Sequence, residues 1–178
     1  MVALHKNWLH PFIIDGFTLA SLDMPVSWGI KDCMVGISYL LFNVIAFYFL
    51  NKRAILLFVS CSVLAITCCL TLGVLQIIPK IEMHTQGPAI EFYKNLVGKP
   101  AYVTAVGFKS YAPLFYFQQP SRTHVKADDL PWLMTGQLDF PAYFVVKIDD
   151  ISKLLKYPTI KLLYIKGGFA FFKRGEER

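Results

Sequence analysis

Residues 33–79 form a single apolar block, interrupted once by Asn51-Lys52-Arg53. Neither the stretch before the tripeptide (33–50, CMVGISYLLFNVIAFYFL) nor the one after it (54–79, AILLFVSCSVLAITCCLTLGVLQIIP) carries a charged side chain. Crossing the hydrocarbon of a bilayer takes about 20 apolar residues in a helix. Backbone in that medium must satisfy its own hydrogen bonds, so both stretches are predicted to be helical. The pattern therefore predicts a membrane hairpin with spans at 33–50 and 54–79 and a connector at 51–53. A soluble all-helical protein is the alternative for such a block, and the length of the block argues against it. Before the hairpin, residues 1–32 mix aromatics with helix breakers (Trp8, Pro11, Phe12, Phe17, Pro25, Trp28). Residues 12–22 are predicted to form a short surface helix, with Asp15 as a cap.

After residue 80 the pattern alternates between helix and strand signals. Pro88 suits a first helical position, and the helix runs to the stop at Gly98-Lys99-Pro100. Residues 101–106 (AYVTAV) read as a strand, 110–117 as a second helix and 130–135 as a helical turn. Residues 143–148 (YFVVKI) read as a buried strand, and Asp149-Asp150 as the negatively charged start of a helix ending near Lys156. Two further strands, 160–165 and 169–172, are joined by Lys166-Gly167-Gly168, a tight hairpin signal. The expected fold is a membrane hairpin followed by a small α/β domain over 80–178, with a mainly parallel sheet and an antiparallel edge hairpin. About 100 residues suffice for one core of its own.

Charge then orients the hairpin. The connector is the only short loop beside the spans and it is purely basic, which places it in the cytoplasm and both flanks on the outer side. Residues 1–79 hold four basic and three acidic groups, and the C-terminal part holds fourteen and nine. A basic domain next to a bilayer is attracted to anionic headgroups. The lysines are dispersed and no nucleic-acid motif is present, so nucleic acid is not an expected partner. Cys33, Cys61, Cys68 and Cys69 all fall in the spans, which excludes a disulfide scaffold or Cys-ligated metal in the domain. No segment before residue 33 has the pattern of a signal peptide. Gly36 and Asn43 share one face of the first span, and Ser60, Thr67 and Thr71 one face of the second. Such stripes suit close helix packing, either with each other or with further membrane helices.

Catalytic constellations are sparse: there is no nucleophile elbow, phosphate-binding loop or zinc motif, and no cofactor is expected. Asp128-Asp129 and Asp149-Asp150 are adjacent pairs, whose side chains diverge and do not form an acid/base couple. The one site-like segment is Gly107-Phe108-Lys109-Ser110-Tyr111. It follows a strand and precedes a helix, where open α/β sheets bind ligands. Lys109, Ser110 and Tyr111 are the candidate ligand-binding residues, Lys109 for a phosphate and Tyr111 for stacking on a sugar. A solvated lysine and a core tyrosine are the plainer alternative.

Two runs, HTQGPAIEFY at 84–93 and GFKSYAPLFY at 107–116, resemble the C-terminal outer domain of bacterial aminoarabinose-transferase-like glycosyltransferases, relatives of the protein O-mannosyltransferases. Upstream, PFIIDGFTLASL at 11–22 and VSW at 26–28 resemble the outer loop before that family's late spans, so the likeness covers nearly the whole chain in order. The resemblance implies a multi-span enzyme of the bacterial inner membrane, with its terminal domain on the periplasmic side. Such an enzyme transfers a sugar from a polyprenyl-phosphate carrier to a lipid or protein acceptor. The family's catalytic carboxylate lies in an early outer loop with no counterpart here, so no residue takes a catalytic role and the chain is expected to be a C-terminal portion, inactive alone. The competing expectation is a complete, non-catalytic envelope module that binds a partner protein or lipid.

Overall fold

A computed structural model of the chain describes residues 9–118 and 124–175. Trp8, among the aromatics before the hairpin, lies outside the described residues. The chain divides into two compact units: one holds Pro25–Met83, and the other combines Leu9–Met24 with the residues from His84 on.

The first unit is the hairpin. Helix α1 (Gly16–Leu22) belongs to the second unit; α2 (Ile30–Asn51) and α3 (Ile55–Leu72) form the hairpin. The start of α2 is capped by Asp32, which accepts from the Gly29 N–H at 2.7 Å. Arg53 makes the reversal in the left-handed region, φ 55°. Beyond α3 the helix passes through a wide π turn (Gly73–Ile77) into α4 (Ile78–Thr85), 31 residues in one run. Pro79 has no N–H to give, and the wide turn just before it accommodates its ring without ending the helix.

The two helices meet along small residues, with Ala46 and Ala65 fully buried. Their remaining surface is large and apolar: Leu56 is 79% and Leu70 64% exposed. Helices apolar all round need an apolar solvent, and these two are long enough to cross a bilayer. The hairpin is a membrane hairpin. Gly36, Ser60, Thr67 and Thr71 lie outside the seam on exposed positions, so the two polar stripes do not face each other. The Asn43 amide donates to its own helix, to the Tyr39 carbonyl at 2.8 Å. Near the ends opposite the connector, Lys80 donates to Asp32 at 2.7 Å and to the Ser27 carbonyl at 2.8 Å.

The second unit is an α/β domain. Its strands are β1 (Tyr102–Val106), β2 (Ala142–Lys147), β3 (Ile160–Lys166) and β4 (Phe169–Arg174), in the order β1-β2-β4-β3. β1 and β2 run parallel, with Val106 opposite Val146, and the β3–β4 hairpin adds antiparallel to β2. The fold is thus a membrane hairpin followed by a small mixed-sheet domain. Its parallel part is the β1–β2 pair, because β4 rather than β3 lies beside β2.

Period-2 alternation splits the core into two layers. Tyr102, Val106, Phe144, Val146 and Phe172 face Leu133 of α6 (Leu130–Thr135) and Leu154 of α7 (Ser152–Leu155). Val103, Tyr143, Val145 and Phe171 face Phe92 and Tyr93 of α5 (Gly87–Asn95), together with Phe117. Central β2 and β4 are buried on both faces over most of their length, which is why residues 142–146 read as an unbroken apolar run. Arg174 ties the end of β4 to α6, donating to the Leu133 carbonyl at 2.8 Å and the Gly136 carbonyl at 2.6 Å.

Candidate functional site at the carboxyl edge of the parallel strands

Because β1 and β2 are parallel and in register, their carboxyl ends reach the same edge of the sheet. Gly107 follows β1 with φ 82°. A β-carbon there would run into the Asp150 carboxylate and lie 3.2 Å from Lys153 Nζ. Only glycine satisfies both the left-handed backbone and that close approach. Asp150 and Lys153 form an ion pair at 2.7 Å. The acidic pair after β2 does sit at a helix start, as a 3-10 turn (Ile148–Asp150) leading into α7.

Phe108 packs against Phe169, ring centroids 5.9 Å apart. Lys109 and Tyr111 then project outward together, with Lys109 Nζ 5.3 Å from the Tyr111 ring centroid and Tyr111 67% exposed. The Ser110 hydroxyl is engaged locally, accepting from the Ala112 N–H at 3.2 Å. The helix expected over 110–117 is a π turn (Pro113–Phe117). Five residues carry little macrodipole, so the turn itself exerts little pull on an anion.

Residues 9–24 complete this edge, a role that sequence reasoning did not assign them. Asp15 caps α1, accepting from the Thr18 N–H at 2.7 Å and from the Thr18 hydroxyl. Those hydrogen bonds, with smaller help from Asp149 and the Lys147 charge, hold the Asp15 carboxyl below the usual aspartate range. Phe17 stacks edge-on against Phe169 at 5.1 Å. Lys147, the last residue of β2, lies over Phe17 (4.7 Å) and Phe108 (5.9 Å). The Ser21 hydroxyl donates to the Gly167 carbonyl at 3.4 Å, and His84 Nδ1 lies 2.8 Å from the Ser21 carbonyl. Lys147 carries no motif signal; the docking of residues 9–24 on this edge brings Phe17 to it.

At the opposite, amino edge of the same strands, a cleft of about 320 Å³ is lined by Lys99, Pro100, Asp139, Phe140 and Tyr143 among others. Asp139 is oriented there by the Tyr102 hydroxyl at 2.7 Å. Among the described residues no group of His, Cys, Asp and Glu is arranged to hold a metal ion.

No family model and no curated protein matches the chain. Among solved structures, two crystal structures of ArnT from Cupriavidus metallidurans match, one bound to undecaprenyl phosphate and one in the apo state. Each alignment covers 97% of this chain and 35% of that chain, at 14% identity and a TM-score of 0.49. The chain spans about a third of the length of that protein.

Proposed function

We propose that the chain corresponds to the C-terminal region of a membrane glycosyltransferase that draws its sugar from a polyprenyl-phosphate carrier, with the α/β domain on the outer, periplasmic side. One observation carries the reading. The three segments that resemble that family, 11–22, 84–93 and 107–116, are parted in sequence by the membrane hairpin and by β1, yet they pack in one unit. Phe17 of the first and Phe108 of the third both pack on Phe169, and Phe92 and Tyr93 of the second share a core with Phe117 just after the third. A likeness made of unrelated local matches has no reason to converge in this way.

Two further features support it. The basic connector favours a cytoplasmic turn, which puts the domain outside. Ser60, Thr67 and Thr71 are left exposed on α3, where further membrane helices of an enzyme would pack. Within the domain, Asp150 is committed to Lys153 and Asp149 lies against Gly16. Neither is presented as a general acid or base, so transfer chemistry is assigned to other parts of the enzyme. The role of this region is to shape the acceptor entrance and to meet the carrier phosphate through Lys109, with Tyr111 offering a face to the sugar.

Undecaprenyl phosphate, bound in one of the two similar structures, is the probe. With the chain in nanodiscs, native mass spectrometry is expected to show retention of undecaprenyl phosphate over undecaprenol by about tenfold, roughly 1.4 kcal/mol. Lys109→Ala is expected to erase most of that preference. Equal retention of the two lipids overturns the carrier role and favours a non-catalytic envelope module.

A further inference from the structure

Tyr111, Leu114 and Phe115 stand at i, i+3 and i+4, the spacing that lines side chains along one face of a helical turn. All three are large and exposed, at 67%, 55% and 73%. The opposite face of the same turn is anchored: Pro113 is buried and Phe117 is fully so, in the core with Phe92 and Tyr93. Phe115 meets Tyr116 edge-on at 4.9 Å, and the Ser110 hydroxyl holds the Ala112 N–H at the start of the turn. The stripe is therefore an outward ridge on a packed base.

Lysines flank it. Lys109 lies over the Tyr111 ring at 5.3 Å, and Lys94 of α5 over the Tyr116 ring at 5.2 Å. We infer that this ridge seats in the interfacial layer of the bilayer, with Leu114 and Phe115 below the headgroups, Tyr111 at their level, and Lys109 and Lys94 reaching up to lipid phosphates. The occupant follows from the chemistry of the rim. Tyrosine with lysines on long stems suits a boundary that is apolar on one side and wet and anionic on the other. A protein cover would have to take those ammonium groups out of water. The tether is already present, because the chain runs from the apolar helices into this domain, and the domain's basic excess complements anionic headgroups. The inference rests on the hairpin crossing a bilayer and not on sugar transfer.

The test uses the full chain in liposomes containing anionic lipid, without polyprenyl phosphate. Phe115→Trp supplies a reporter, read as the difference from the unmodified chain, and the lipids carry bromine at shallow or deep acyl positions. The control is Leu163→Trp, at a residue 44% exposed on β3, the far edge of the sheet from β1. Shallow bromines are expected to quench the ridge reporter at least twofold more than the control, and adding Lys109→Glu to the reporter chain is expected to halve that quenching. Blue-shifted emission from the ridge reporter that no bromolipid quenches means that protein covers the ridge, and overturns the inference. So does equal quenching at both sites, which means only that the domain lies loosely on the surface. Carrier binding is read separately by mass spectrometry, so either result stands without the other.

Discussion

At Gly107 two demands coincide, a positive φ of 82° and a backbone pressed against the Asp150–Lys153 pair. Gly107→Ala is expected to destabilise the domain by about 1–3 kcal/mol, since strained backbone and a displaced carboxylate both contribute. Thermal unfolding of the full chain in detergent checks this, and an unchanged midpoint would remove Gly107 from the account of the edge. Asp15 makes a prediction of opposite visibility, in pH rather than in packing. Its carboxyl is held below the usual aspartate range by Thr18, so the charged form is the one that stabilises α1. That contribution is fully present above the ordinary aspartate pKa and is lost as pH falls through the lowered value. Amide exchange over 16–22, corrected for intrinsic rates, is expected to accelerate in that acid window. Asp15→Asn is expected to show weaker protection at neutral pH and to lose the acid dependence; an identical acid profile would assign the dependence to another group.

Among the elements, the helix pair and the sheet are specified by different physics. The hairpin seam runs through Ala46 and Ala65, where small side chains allow close approach in a medium that offers no hydrophobic drive between helices. Ala65→Leu is expected to weaken the hairpin by about 1–3 kcal/mol through overpacking. Ser60→Leu, at an exposed site, should be close to neutral. The measurement is the SDS fraction that unfolds the chain in mixed micelles, and equal midpoints for the two variants would place the seam elsewhere. In the sheet, β3 is an open edge with Leu162, Leu163, Tyr164 and Ile165 all 44–47% exposed. Lys161 and Lys166 bracket this run, charges of the kind that discourage edge-to-edge pairing. Lys166 also reaches Glu91 of α5 at 2.6 Å, an exposed pair of small energetic weight.

For the whole molecule, legibility followed the range of the interactions. Length and the absence of charge determined the membrane hairpin, because crossing hydrocarbon is a one-dimensional requirement. Turn chemistry at Gly167-Gly168, the Pro88 helix start and the Asp15 cap were equally readable, since each depends on residues within a few positions. The helix expected at 110–117 became a short π turn because Pro113 and Phe117 are drawn into the core, and propensity does not register that pull. The parallel pairing of β1 with β2 joined Gly107 to Asp150, and the docking of residues 9–24 set Phe17 beneath Lys147. No local pattern marks either event, as contacts across more than forty residues are chosen by complementary burial in the folded domain. Lys109 and Tyr111 were named from sequence as a ligand pair. That they share an outward ridge with Leu114 and Phe115, over a base closed by Phe117, was decided only when the tertiary core claimed the other side of the turn.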